Sequence, residues 1–589
     1  MRPQAAQEVP TMTDQRPWFA SYPDDVPKTL EPYPEKSLYS ILDESTERFP
    51  DRPAVTWVVP GGKTLTYRQL RDEAERFSAA LVKLGVKKGD RVGLILPNCP
   101  QYVIAYFGTV RIGAVIVGNN PLYTKRELGH QLSDAGCDVV VVLDQLYSNL
   151  ESVQEEFTPR ETIVTSVTDY MKFPISMLAP IKLKKEAKHE GKPWPPVPSD
   201  AKVRRWKDVM RGGGDVPPVA EVDAKKDAAG FIYTGGTTGL SKGAMLSHYN
   251  LVSNCMQGAS WFADLRDGEE AVMCVLPFFH SYGMTVCMNI GIIKAAKLVL
   301  MPRFELEATL KAIATEKPTL FPGVPRLYIA LNEADETRSY DLKSIRACLS
   351  GAAPLPLVVA QKFEGITGSR VVEGYGLTET SPITHANPIT GKRKEGSIGL
   401  PIPDTECKLV DIDDPSKAVE PGEEGELAIA GPQVMLGYWN RQKETDEMIR
   451  TDENGVRWLH TGDIAKVDEE GYFSIVDRKK DMILVSGFNV YPTDVEQALY
   501  RHPAIEKVAV VGVPDDTTGE AVKAFVVLRK GEGASPEEIV KWARAELTGY
   551  RAPKQVEIRE SLPETLVGKV LRRVLLDEEK KKQEAAAGS

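Results

Sequence analysis

The run Phe231–His248 reads FIYTGGTTGLSKGAMLSH, an apolar strand leading into a loop rich in hydroxyls and closed by one lysine. Gly235, Gly236 and Gly239 let backbone N–H groups turn toward an anion, Thr234, Thr237, Thr238 and Ser241 add donors, and Lys242 adds a point positive charge. The chemistry such a loop serves is the binding of a polyphosphate, and the ligand it implies is a nucleotide. It departs from the commoner phosphate loop, in which the lysine follows glycine, precedes Ser or Thr and opens directly into a helix. Lys242 sits between Ser241 and Gly243, Ala244–Ser247 reads as a second strand, and a helical pattern begins only near Asn250. No helix N-terminus is then at hand to add its dipole. A Gly/Thr-rich hairpin turn would give the same letters, so the loop takes its meaning from the rest of the chain.

The elements that must position it begin with an amphipathic helix over 37–49, a strand over 54–59 and a helix over 66–84 whose Tyr67, Leu70, Ala74, Phe77 and Leu81 recur at helical spacing. A strand over 91–96, a helix over 102–112, a strand over 114–117, a further helix and a strand over 138–143 follow. Helices alternating with short apolar runs predict an α/β architecture of mostly parallel sheets flanked by helices. At 589 residues the chain exceeds one core. The charge cluster Asp477–Asp481 marks an expected boundary between an N-terminal body (1–477) and a small α+β C-terminal domain (478–589) with strands over 508–513 and 523–528. The tail from Asp577 to Ser589 reads as a frayed helix end.

With 42% hydrophobic and 26% charged residues the composition is globular, and a formal charge of −10 excludes a global attraction for nucleic acid. Seven scattered cysteines without a Cys-x-x-Cys pair suggest neither a disulfide framework nor a zinc site, and the expected compartment is reducing and cytoplasmic. Residues 1–17 carry no apolar signal core. The uncharged stretch 271–293 is long enough to cross a bilayer, but Pro277, His280, Gly283 and Asn289 favour a buried strand, turn and helix, which could wall an apolar ligand tunnel. Between 172 and 211 nine Lys and Arg residues, from Lys182 to Lys207, crowd around the prolines of 193–198, just after Phe173, Ile175, Met177, Leu178 and Ile181. A solvated insertion and a contact with an anionic membrane surface both fit this segment.

The glycine loop has company. Glu373-Gly374-Tyr375-Gly376-Leu377-Thr378-Glu379-Thr380, Thr461-Gly462-Asp463, Asp477-Arg478-Lys479-Lys480-Asp481 and Gly568-Lys569 follow it in this order. Together the five pieces resemble the adenylate-forming superfamily, over nearly the whole chain. DRKKDMILVSGFNVYP at 477–492, GPQVMLGYW at 431–439, NPLYTKRELGHQL at 120–132 and LTGYRAPK at 547–554 are more closely similar to the bacterial long-chain fatty acyl-CoA synthetases. The resemblance implies two half-reactions. Fatty acid and ATP give acyl-adenylate and pyrophosphate, and the CoA thiol then gives acyl-CoA and AMP.

A carboxylate attacking a phosphate brings two anions together, so cations must be in place first. By the resemblance Lys569 enters from the small domain and bridges the two groups, Glu379 holds Mg²⁺ on ATP, and Thr378 reaches the α-phosphate. One carboxylate amid hydroxyls suffices for Mg²⁺, which keeps phosphate oxygens and waters as its other ligands. Asp463 and Arg478 would bind the ribose, Tyr375 would face adenine, and Gly351, Ala352 and Ala353 would form the wall opposite. Glu373, Gly374 and Gly376 complete that nucleotide segment. The small domain turns about the position matching Lys480 and brings Ser486, Gly487 and Phe488 to CoA. Pro277, His280, Ser281 and Met284 match the segment lining the acyl tunnel, with His280 gating or positioning substrate or simply a satisfied core residue. Burial of a methylene is worth about 0.8 kcal/mol, so such a tunnel separates neighbouring chain lengths weakly. A medium-chain or aryl acid, transfer to a carrier protein instead of CoA, and a nonenzymatic nucleotide-binding protein are the competing readings. A homodimer is left open.

Overall fold

The computed structural model describes the chain apart from residues 1–15, 190–193, 195, 199, 201, 213, 235–240, 263, 420–421, 487, 516, 548, 565–569 and 588–589. Its largest sheet has eight strands in the spatial order Gly437–Tyr438, Lys242–Ser247, Ala228–Thr234, Val115–Gly118, Arg91–Ile95, Val139–Leu143, Glu161–Thr165 and Val203–Arg205. The six from Ala228–Thr234 onward are parallel, and the two at the other edge are antiparallel. A second layer runs Thr64–Thr66, Pro53–Trp57, Lys297–Leu300, Ala271–Cys274. Parallel bridges from Leu320 to Val272 and Ala347 carry it on into Ala347–Ser350, Arg370–Gly376, Ile383–Ala386 and Leu400–Pro401.

The helices fall where the apolar spacing puts them. Helix Tyr67–Lys83 starts at a capping box in which Thr66 and Gln69 satisfy each other's backbone N–H groups, and it buries Tyr67, Leu70, Ala74, Phe77 and Leu81. All twelve residues of helix Pro100–Arg111 are buried. That explains a helix apolar on every side.

Three features differ from expectation. Residues 406–478 form an antiparallel sheet (Glu406–Val410, Gly425–Ala430, Arg457–Val467, Ile449–Thr451, Phe473–Arg478), so the body is not parallel throughout. Residues 271–293 hold the expected strand and turn, but Gly283–Asn289 winds as a π-helix before Ile290–Ile293, and it is buried throughout. Its i→i+5 bonding has no signature in hydrophobic spacing. The terminal helix Arg572–Ala587 is anchored, not frayed, over its first half. Leu575 is fully buried and Glu579 pairs with the buried Lys523 at 2.7 Å.

Residues 483–576 own a separate sheet, in which Gly519–Leu528 is flanked by Ile505–Asp515 and Gln555–Ile558, with Ile483–Val485 and Phe488–Val490 beyond. Helix Pro492–Tyr500 packs its Val495 and Leu499 into a core with Val508, Val510, Val522 and Val526. No residue of the body's main core enters that cluster.

Candidate active site

One short segment gathers the expected nucleotide residues. Strand Arg370–Gly376 pairs with Ile383–Ala386 and turns at Thr378–Thr380. A Cβ at Gly376 would lie 1.8 Å from the Pro382 carbonyl oxygen, so only glycine permits this turn. Thr378 shares a 3.1 Å hydrogen bond with Ser281, which ties the turn to the segment 277–284. There Gly283 is forced in the same way, a Cβ falling 2.3 Å from the Pro277 carbonyl oxygen. Ser281 and Met284 are buried, Pro277 and His280 are half-buried, and His280 Nδ1 accepts the Tyr282 N–H at 3.2 Å.

Glu379 is buried, its carboxylate accepts the Tyr438 hydroxyl at 2.6 Å, and its carbonyl accepts the Met435 N–H at 2.9 Å. Among the described residues no three or more His, Cys, Asp or Glu side chains group to hold a metal. A single buried carboxylate with a hydroxyl next door suits Mg²⁺ that is also held by phosphate oxygens.

Asp463 and Arg478 are register partners on neighbouring strands, and Arg478 Nε meets Asp463 Oδ1 at 2.9 Å. The Tyr375 hydroxyl donates to the other carboxylate oxygen. Burial, then Asp463, pushes the Tyr375 phenol well above its ordinary pKa, so it stays a neutral donor. Burial pulls the Arg478 guanidinium down, but Asp463 and Tyr375 outweigh it and leave it raised. Each carboxylate oxygen keeps a second lone pair, which is what a ribose hydroxyl would use. The opposite wall is held from behind. Gly351 is packed on the Tyr282 ring, Ala352 sits at φ 68°, and Ala353 follows before Leu355, whose N–H donates to Glu373 at 2.8 Å. Burial raises the Glu373 pKa, and that carboxylate serves the wall. Gly374 has no room for a Cβ, which would lie 2.8 Å from Leu349 Cδ1.

At the glycine-rich loop Thr234 and Lys242 are register partners. His130 Nε2 lies 3.0 Å from the Ser241 carbonyl oxygen, and Lys242 Nζ stands 5.3 Å over the Tyr438 ring. Gly235, Gly236, Thr237, Thr238 and Gly239 lie outside the described residues, as do Gly487 and Lys569. Ser486 (φ 51°) and Phe488 are exposed, and Phe488 stacks on Tyr550 at 4.8 Å within the C-terminal unit. Lys480 is exposed, between Asp477 and Asp481, both of which face Arg572, at 3.9 and 3.1 Å.

The structure therefore joins Tyr375, Thr378, Glu379, Asp463, Arg478 and Ser281 in one neighbourhood and leaves Ser486 and Phe488 among contacts of their own unit. Sequence reasoning gave no role to Tyr438 or His130, and to Tyr282 none beyond its place in the segment matching the acyl tunnel. Tyr438 stood in the quoted GPQVMLGYW run, and a buried tyrosine needs a partner for its hydroxyl. That partner lies 59 residues away.

The family of AMP-binding enzymes matches residues 42–439, and the AMP-binding enzyme C-terminal domain matches 494–569. The chain is 45% identical to a long-chain-fatty-acid–CoA ligase of Bacillus subtilis (strain 168), over 96% of this chain and 99% of that one. It is 42% identical to the enzyme of the same name from Escherichia coli O157:H7, over 95% and 98%. Among solved structures it is similar to ATP-bound MatB from Rhodopseudomonas palustris, with a TM-score of 0.78 and 28% identity over 92% of this chain and 99% of that one.

Proposed function

The chain belongs to the AMP-binding enzyme family, and on that premise we propose that it activates a long-chain fatty acid with ATP and passes the acyl group to CoA. The observation that carries this reading is full-length similarity to two long-chain-fatty-acid–CoA ligases, joined to a site in which Thr378, Glu379, Asp463 and Arg478 converge.

In this reading Asp463 and Arg478 hold the ribose, Tyr375 and the wall 351–353 flank adenine, and the Thr378 hydroxyl meets the α-phosphate. Lys242 and the loop before it neutralise the phosphates that leave as pyrophosphate. Glu379 would hold Mg²⁺, which when bound supplies charge neutralisation at the phosphates. Lys569 bridges the acid carboxylate and the α-phosphate, and so cancels the repulsion between two anions in the attack. The carboxylate oxygen bonds to the α-phosphorus as the bond to pyrophosphate breaks. The thiolate of CoA then attacks the acyl carbon and AMP leaves. The C-terminal unit, turning about Lys480, brings Ser486–Phe488 to the second step. Ser281, hydrogen-bonded to Thr378, links the acyl segment 277–284 to the adenylate site.

The test measures AMP and acyl-CoA formation with acids graded from short to long, together with an aryl acid. Turnover confined to short or aryl acids, or none with free CoA, would refute the reading.

The finer reading of residues 172–189 is a peripheral contact with an anionic membrane. Among the described residues no helix is long and apolar enough to cross one. Helix Ile175–His189 buries no residue fully, and the half-covered Ser176, Ala179, Pro180, Leu183 and Ala187 share one face. Met177, Leu178 and Ile181 lie on the other face and, with Phe173 just before the helix, are 57–80% exposed, and Lys184, Lys185 and Lys188 continue that outer face. Apolar side chains beside lysines in an acidic chain suit anionic lipid. Full-length protein should sediment with vesicles containing phosphatidylglycerol and less with phosphatidylcholine alone. Unchanged sedimentation of a Met177→Glu/Ile181→Glu variant would end this reading.

A further inference from the structure

Tyr438 touches both charged ends of the phosphate site. Its hydroxyl donates to Glu379 Oε1 at 2.6 Å, and the Lys242 ammonium lies 5.3 Å from the centre of its ring. The side chain is 7% exposed. Its backbone is fixed twice: Tyr438 stands opposite Ala244 on the strand that begins with Lys242, and its N–H donates to Thr445 Oγ1 at 2.9 Å. Gly437 closes the same corner, since a Cβ there would fall 2.7 Å from Thr445 Cγ2. Phenylalanine would fill this space equally well, so packing does not account for the hydroxyl.

Two further facts give that hydroxyl a use. Among the described residues no other side chain hydrogen-bonds the Glu379 carboxylate, and Lys242 has no carboxylate partner within ion-pair distance. We propose that Tyr438 is a positioning residue that orients Glu379 toward the divalent cation of a metal–nucleotide and keeps Lys242 aimed at the same phosphates. The inference rests on the reading of Glu379 as the metal carboxylate. A carboxylate pinned at one oxygen has already lost the rotational freedom that a metal would otherwise have to remove. An aromatic face attracts an ammonium without cancelling its charge, whereas a carboxylate partner would compete with the phosphates for it.

The test uses the full chain with Tyr438→Phe, Tyr438→Leu and, as a control, Glu379→Gln. Mn²⁺ binding in the presence of ATP is followed by paramagnetic resonance, and ATP binding is followed by calorimetry with Mg²⁺ and with EDTA. Tyr438→Phe should weaken Mn²⁺ binding about ten-fold, the lower end of what losing a partner of a metal ligand costs, and leave ATP binding in EDTA unchanged. Tyr438→Leu should in addition weaken ATP binding in EDTA about three-fold, the size of a weak cation–π contact. If Glu379→Gln shifts metal binding and Tyr438→Phe does not, this inference fails while the reading of Glu379 stands. If Glu379→Gln shifts nothing, both fall. Equal losses with and without metal in Tyr438→Phe would mark the hydroxyl as merely structural and overturn the proposal.

Discussion

Asp463 in the body and Phe488 in the C-terminal unit are both expected to meet ligand, yet Asp463 is 2% exposed and Phe488 57%. Around Asp463 the side chains expected to meet ligand already have partners: Arg478 and Tyr375 on its carboxylate, Tyr438 on Glu379, Ser281 on Thr378. Around Phe488 the ring contact is a stacked Tyr550 of the same unit, and Lys480, at the expected boundary, is exposed. The difference fits two tasks. Charge stabilisation in a phosphoryl step rewards groups that are fixed beforehand. A surface that must turn into place is held by contacts of its own unit, where Arg572 ties Glu496 and Asp481 together.

The sharpest way to break this contrast is Lys569→Ala. It should lower acyl-adenylate formation by about 10²–10³-fold, as loss of one charge-stabilising group does, while thioester formation from preformed acyl-adenylate is spared. Equal loss in both assays would erase the division between the two regions. Arg572→Ala should come next. It removes the charge partner of Glu496, and should destabilise the C-terminal unit by about 3 kcal/mol, as breaking a buried pair does. Hydrogen exchange should show the loss confined to residues after 478, and a loss spread over the body would contradict the separate cores.

The body has its own weakness in acid. Burial holds the His385 imidazole down to about 3 and His248 to about 4, against an ordinary 6.5. The unfolded chain therefore takes protons that the folded body refuses. The stability involved is complete above pH 6.5 and is lost as pH falls from there toward 4 and then 3, at about 1.4 kcal/mol per unit for each group. Stability against denaturant should be about 2 kcal/mol lower for each histidine at pH 5 than at neutrality, and His385→Asn should remove part of that slope. The smallest expected effect is Asp463→Asn, which keeps shape but weakens the Arg478 pair. KM for ATP should rise about ten-fold, the cost of a charge-assisted hydrogen bond, with KM for CoA unchanged. A matching rise for CoA would mean that the two regions share one site throughout.

Much of this was legible in the letters because it is local. The periodic Tyr67, Leu70, Ala74, Phe77 and Leu81 gave a helix ending within a residue of its observed bounds, and the strand–loop–strand reading around Lys242 matches the hairpin Ala228–Ser247. The antiparallel sheet of 406–478 was missed, since its strand Gly425–Ala430 is buried at every position and shows none of the alternation that marks an antiparallel strand. The π-helix at Gly283–Asn289 was missed because a fully buried segment carries no periodicity to count.

By itself the sequence determined the α/β class and the order of the five motifs, since strand, turn and charge signals act over a few residues, and the reaction came from the resemblance of those motifs to a known family. Only the tertiary structure decided who partners whom. Tyr438 meets Glu379, Tyr375 meets Asp463 across 88 residues, and Ser281 meets Thr378 across 97, because a buried polar atom must find its hydrogen bond wherever the packed sheets bring one near.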